Sequence, residues 1–238
     1  MDITTKSGQR IRQVIGGRSN VYLLTAGTRA LLIDTGRTSR FGRLVSRLDR
    51  LKIDRIDAIL LTHTHFDHAE NTAALSERYG AKIVVQEQEA GALKTGDSRL
   101  PRGSILVTRW LMPRISPWLQ PRVAYRPASP YLLVRETMGL RALGFEATVL
   151  HAPGHSPGSV SLIVDDQIAL VGDTLLGTLP RSVFPPFADD PVEMVRSWGR
   201  LLRTGCTLFL PGHGWPITRD RLERQYAKHR RAIPLTEP

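Results

Sequence analysis

Between Thr62 and His68 the chain reads Thr-His-Thr-His-Phe-Asp-His, which puts four metal-ligating side chains, His63, His65, Asp67 and His68, into six residues directly after an apolar run. The preceding segment, Ile56 to Leu61, reads as a buried strand, so the ligands fall where a strand ends and a loop begins. Residues two apart on an extended segment point the same way, so His63 and His65 can grip one ion. A turn at Phe66 and Asp67 then redirects Asp67 and His68, and the spacing suits two metal ions better than one.

The surrounding pattern alternates between strands and helices. Asn20–Thr25 and Arg29–Thr35 read as paired strands around Ala-Gly-Thr, the second ending in Leu-Ile-Asp-Thr-Gly. Phe41, Leu44, Val45, Leu48 and Leu51 recur at helical spacing. The His-rich loop leads into a helix over Glu70–Tyr79 that Gly80 stops, followed by a strand at Lys82–Gln86. Farther on come strands at Phe145–Leu150, Ser159–Val164 and Ile168–Val171, the last two joined by an Asp-Asp hairpin turn. Asp190 and Pro191 open a helix to about Arg203, with the acid as N-cap and proline in the first turn. A strand at Cys206–Leu210 and a basic helix at Arg219–Ala232 close the chain. Such alternation predicts a layered α/β protein.

At 238 residues with 41% hydrophobic side chains, residues 1–238 suffice for a single domain, built from two similar halves. The N-terminal segment has no apolar core and no run reaches the roughly 20 apolar residues of a membrane helix, so the expected location is cytoplasmic, without a transmembrane segment. Cys206, the lone cysteine, reads as a buried strand residue. The net charge of +11 would steer anionic partners, including nucleic acid or a lipid headgroup. Because the arginines are scattered instead of forming one block, the charge argues for composition ahead of nucleic-acid binding. Residues 99–130 break the rhythm. Trp110, Leu111, Met112, Trp118 and Leu119 stand among five prolines from Pro113 to Pro130, a composition poor for regular structure and suited to an apolar loop or lid. Two exposed tryptophans there would want a partner.

Three more candidate ligands abut apolar runs: His155 in Ala-Pro-Gly-His-Ser-Pro-Gly, Asp173 in Val-Gly-Asp-Thr and His213 in Leu-Pro-Gly-His-Gly. With the His-x-His-x-Asp-His run and the later His, Asp and His in this order, the chain resembles the metallo-β-lactamase-fold hydrolases from Leu-Ile-Asp-Thr-Gly to Pro-Gly-His-Gly. That resemblance implies a four-layer αβ/βα sandwich with the metal site at one edge of two sheets. It also implies His63, His65 and His155 on a first metal, Asp67, His68 and His213 on a second, and Asp173 as a bridge. Asp34, by the same resemblance, holds a ligand imidazole, and the alternative reading is that it caps the turn at Gly36. His151 reads as a surface residue and His229 as a solvated one.

Imidazole and carboxylate ligands suit zinc first and also accept iron or manganese, so the expected cofactor is two divalent ions. Two such ions, two aspartates and a hydroxide leave a site of net charge about +1, which attracts anionic or polarised acyl substrates. A metal-bridging hydroxide would be the nucleophile, with Asp67 as the catalytic residue that orients it. The leading expectation is a dinuclear hydrolase of a small ester, thioester or lactone, whose cavity is shaped by residues 99–130 and 178–186, with Trp110, Trp118, Phe184 and Phe187 nearby. Among families of this resemblance, lactonases place a tyrosine where this chain has Leu176. A phosphodiesterase or nuclease on the same site, and a mononuclear iron persulfide dioxygenase, are the alternatives.

Overall fold

Short strands that are apolar on both faces need a layer on each side, and a computed structural model describing residues 1–17 and 19–232 stacks two sheets between outer helices. The first half forms a seven-stranded sheet in the order β1 (Asp2–Thr4), β2 (Arg10–Ile15), β3 (Val21–Ala26), β4 (Arg29–Ile33), β5 (Ala58–Leu60), β6 (Lys82–Gln86) and β7 (Leu132–Val134). The second half forms a six-stranded sheet from β8 (Thr137–Gly139), β9 (Ala147–His151), β10 (Val160–Val164), β11 (Ile168–Gly172), β12 (Leu208–Pro211) and β13 (Ile217–Thr218). Strand order follows chain order in both sheets. The anticipated two halves are therefore two sheets, and the fold is the four-layer αβ/βα sandwich.

Three apolar clusters define the layers. Between the sheets lie Leu24, Leu31, Leu60, Val149, Leu162 and Leu170, all at most 1% exposed. Outside the first sheet, Leu32, Ile59 and Val85 pack on α1 (Phe41–Arg50) through Leu44 and Leu48, and on α3 (Thr72–Tyr79) through Leu75. Outside the second, Val171 and Phe209 meet Met194 and Trp198 of α6 (Pro191–Leu202) and Leu222 of α7 (Arg219–His229). Sheet strands covered on both faces lose the polar alternation, which is why β5, β10 and β11 are buried at every position.

Local chemistry agrees with these elements. Asp165 and Asp166 take φ of 53° and 51°, the left-handed pair that lets the Gln167 N–H reach the Val164 carbonyl at 3.0 Å in the tight turn between β10 and β11. Asp190 caps α6 by accepting from the Glu193 amide at 2.9 Å, with Pro191 in the first turn. Gly80 ends α3 at φ 66°. Cys206 is buried. The helix expected from Glu70 starts as a separate turn, α2 (Phe66–Ala69), before α3. The closing helix ends at His229 and runs on as a 3-10 turn over Arg230–Ala232. Strands β1 and β2 precede the first strand read from the sequence. The 99–130 segment departs most: it holds a 14-residue helix, α5 (Leu106–Leu119), with Pro113 and Pro117 inside it. Each proline removes one helical N–H, yet the helix persists because packed apolar side chains from one face support it.

The strand directions position the site. Strands β4 and β5 are parallel, and β9, β11 and β12 run alike because β10 lies antiparallel between β9 and β11 while β11 and β12 are parallel. The C-terminal ends of β4, β5, β9, β11 and β12 lead to Asp34, His63, His155, Asp173 and His213 in turn. Among the described residues no helix is long and apolar enough to cross a membrane. Residues 233–238, which the single-domain expectation included, lie outside the described residues.

Trp198 is wholly buried and its indole N–H donates to the Thr174 carbonyl at 2.7 Å, tying α6 to the loop after β11. Trp198→Ala is expected to cost about 3–5 kcal/mol through the cavity it leaves, read as a lower urea midpoint at unchanged slope; a midpoint within error of the parent protein would refute the packing role assigned to it.

Candidate metal centre

Two clusters of donors form where the strand ends converge. The donor atoms of His63, His65 and His155 lie within 4.8 Å of one another, and so do those of Asp67, His68 and His213; His63, His68 and Asp173 form a third such set between them. His155 Nε2 stands 2.9 Å from His65 Nδ1, and His68 Nε2 stands 3.2 Å from His213 Nε2. Asp173 spans both groups, 3.2 Å from His213 Nε2 and 3.8 Å from His155 Nε2, while Asp67 Oδ2 is 3.2 Å from His213 Nε2. All seven side chains singled out in the sequence thus share one site.

The donor chemistry fits a cation. His63 Nε2 and Asp173 Oδ1 are buried without a hydrogen-bond partner, an expensive state unless something positive occupies the space they face. The outward nitrogens are spoken for. His68 Nδ1 faces the Asp34 carboxylate at 2.8 Å and His155 Nδ1 faces the Phe187 carbonyl at 3.0 Å, so each carries an N–H on Nδ1 and turns its Nε2 inward. His63 Nδ1 lies 3.0 Å from the Thr62 hydroxyl. Gly212 leaves room for the cluster: a Cβ there would sit 2.3 Å from Asp173 Oδ1 and 2.7 Å from His68 Cε1.

Of the two readings of Asp34, the structure favours the support of an imidazole. Its carboxylate accepts from the Thr62 amide at 2.8 Å as well as from His68, and its own backbone sits at φ 59°. The rest of the Asp-Thr-Gly turn holds α2, with Thr35 N, Thr35 Oγ1 and Gly36 N all donating to the His68 carbonyl.

Two buried residues that the sequence did not single out brace the loops. Glu89, 6% exposed, accepts from the Thr64 amide at 2.9 Å and the Thr64 hydroxyl, and from Ser156 Oγ at 2.7 Å and Gly158 N at 3.1 Å. It therefore staples the His63–His65 loop of one half to the His155 loop of the other. Asn20 does the same for His213: its Nδ2 donates to the carbonyls of Pro211 and Gly214, and its N–H donates to the Gly212 carbonyl at 2.7 Å. A Gln-Glu-Gln-Glu run reads as a solvated face, so nothing local in the sequence points to Glu89.

The clusters differ electrostatically. Burial, reinforced by the neighbouring imidazoles, holds His63 well below the usual histidine range and His65 down at about 3, so both stay neutral ligands. Burial also works against charge on His68 and His213, but there the carboxylates win. Asp173, Asp67 and Asp34 raise His68 well above its usual value, and Asp173 with Asp67 raises His213 to about 10. In return, and against their own burial, Asp67 falls to about 2 and Asp173 far below the carboxylate range, both through His68 and His213. A cation entering the second cluster thus replaces protons, while one entering the first meets the neutral rings of His63 and His65.

The clusters open onto a cavity of about 440 Å³ walled by Leu100, Met112, Ile115 and Leu119 on one side and by Leu176 and Phe187 on another. Residues 99–130 and the 178–186 loop do border it, but most of the aromatic residues expected there do not. Trp110 and Trp118 point outward at 62% and 63% exposure, and Phe184 packs away on Trp198 and His229. His229, expected to be solvated, is stacked on Phe184 at 4.7 Å between ring centres. His151 lies outside this cavity and bonds the Pro157 carbonyl at 2.9 Å.

The sequence pattern of the Metallo-beta-lactamase superfamily matches residues 14–213. A "Probable metallo-hydrolase" of Methanocaldococcus jannaschii is 28% identical over 90% of this chain and 95% of its own length. An acyl-coenzyme A thioesterase of Gallus gallus is 28% identical over 88% of this chain and 77% of its own. A structure solved in a di-iron-bound form is 25% identical, covers 98% of each chain and superposes with a TM-score of 0.60.

Glu89→Gln puts an amide NH₂ among four donors. We expect about 1–3 kcal/mol of lost stability and metal affinity weakened about 10–100-fold, measured by urea unfolding and competitive chelator titration. Unchanged metal affinity would rule out the stapling role.

Proposed function

This chain belongs to the metallo-beta-lactamase superfamily and is a metal-dependent hydrolase, and we propose that it uses two divalent ions to cleave a thioester, ester or lactone bond of a substrate with an apolar acyl part. The observation that carries this reading is the opening of both donor clusters onto one apolar cavity. In this reading His63, His65 and His155 hold one ion, Asp67, His68 and His213 the other, Asp173 bridges, and zinc, iron or manganese all match the donors. The whole chain, 1–238, acts as one domain, with residues 99–130 as a lid.

Bound divalent ions supply Lewis acidity, lowering the pKa of a coordinated water to near 7 and polarising the carbonyl oxygen. The chain's own residues do the rest. Met112, Ile115 and Leu119 seat the acyl part and keep bulk water away from the carbonyl carbon. Asp67 borders the cavity with one oxygen 3.2 Å from His213, placed to take the proton of the attacking water and return it to the leaving group. Leu176 presents no hydroxyl to the site, which disfavours a lactonase that depends on a tyrosine there. The thioesterase name of one relative supports a thioester among the three bonds. Phosphodiester cleavage draws on the +11 charge, but among the described residues no lysine or arginine lines the cavity to hold a phosphate.

Protein purified with its metal should contain about two ions per chain by elemental analysis and should turn over acyl thioesters or aryl esters well ahead of bis(p-nitrophenyl) phosphate, without consuming oxygen. Preference for the phosphodiester would install the nuclease reading, and oxygen uptake with a persulfide the dioxygenase one. Asp67→Asn should weaken the second ion and lower kcat about 10²–10⁴-fold while the fold, read by circular dichroism, stays intact, and parental kcat in that variant would remove Asp67 from the role assigned to it.

A further inference from the structure

Helix α5 is apolar on both sides. Met112, Ile115 and Leu119, at spacings of three and four, turn one face to the cavity. The opposite face is expected to be polar on a surface helix; here it carries Leu106, Val107 and Trp110, exposed by 86%, 69% and 62%, and Leu111 and Trp118 on its flank are exposed by 37% and 63%. Contiguous exposed side chains of this size signal a contact surface.

We propose that this outer face docks on an anionic lipid bilayer, bringing the cavity mouth to the membrane surface. The charge around the helix selects that occupant. From Ser98 to Arg135 the chain carries seven arginines and no acidic residue, within a protein of net charge +11. Two of these arginines lie on the exposed indoles: the Arg114 guanidinium sits 4.1 Å from the Trp110 ring centre and that of Arg122 3.9 Å from Trp118. An indole with a guanidinium on its face matches a bilayer interface, where the ring enters the acyl boundary and the cation meets phosphate. A second copy of this chain fits poorly, because a two-fold contact through α5 would set the same arginines against each other with no carboxylate between them. Crossing the bilayer is excluded by length, since 14 helical residues span about 21 Å.

Exposed apolar side chains also occur next to the cavity on other segments: Leu179, 55% exposed, follows Thr178, and Trp215, 77% exposed, comes two residues after His213, Thr178 and His213 both lining the cavity. The inference stands apart from which bond is cleaved, because it needs only the surface.

The test is co-sedimentation of the full chain with phosphatidylcholine vesicles that contain or lack phosphatidylglycerol, with tryptophan emission recorded in parallel. We expect binding to the anionic vesicles with a blue shift in emission, weakened tenfold or more by omitting phosphatidylglycerol or by raising the salt. W110S/W118S should lose binding tenfold or more while keeping its unfolding midpoint and its turnover of a water-soluble ester, and R114Q/R122Q should lose the preference for anionic vesicles. The proposal is overturned if the folded parent protein stays in the supernatant at low salt, if W110S/W118S binds as tightly as the parent, or if the tryptophans instead support a concentration-dependent dimer that ignores vesicles.

Discussion

A buried carboxylate that belongs to no donor cluster governs how this site is built. Glu89 gathers two donors from the loop after β5 and two from the loop after β9, and so joins the halves of the molecule beside the imidazoles they contribute. The apolar layer between the sheets sets the strand ends on one edge, but apolar contact is non-directional and leaves loops free to slide. Hydrogen bonds to a carboxylate are directional and stronger than neutral ones. Asn20 at the Pro211–Gly214 turn repeats the device, so that the loops bearing His155 and His213 are each gripped by a polar residue of the first half, and Asp34 fixes His68 within that half.

The arrangement explains how five imidazoles coexist in one pocket. Neutral rings with inward lone pairs repel, and charged rings repel more, so the group holds together only through its carboxylates or through ions. Asp67 and Asp173 keep protons on His68 and His213, whereas burial keeps His63 and His65 neutral, and the first-cluster rings take their orientation from Thr62, the Phe187 carbonyl and the Glu89 staple. The two donor clusters therefore differ in charge, although they lie side by side.

Much of this was legible in the residues. The His63–His68 run marks its own strand end, and the Asp-Asp turn and the Asp190-Pro191 cap specify backbone conformations that few other residues supply. Convergence of His155, Asp173 and His213 on that run came from family resemblance, since nothing in single spacing reports a contact across 145 residues. The braces were invisible for the same reason: Glu89 and Asn20 are ordinary polar residues until a distant loop arrives. Helix α5 was hidden by Pro113 and Pro117, which count as breakers locally, while the packing of Met112, Ile115 and Leu119 that sustains it is tertiary. Strand β2 escaped because arginines and glutamine interrupt its apolar pattern, and β1, at the sheet edge, because it is only three residues with one apolar side chain.

The long reach of these braces has a consequence for biosynthesis. His68 leaves the ribosome 145 residues before His213, and at about 5–20 residues per second the early ligand run waits on the order of ten seconds for its last companion. Throughout that interval it is a bare chelating loop, ranked by the intrinsic order of metal affinities in which copper outcompetes zinc and iron. The shape of the pocket is complete only once Asn20 has met the Pro211–Gly214 turn, so selectivity by geometry is a property of the finished fold and not of the ligand run alone.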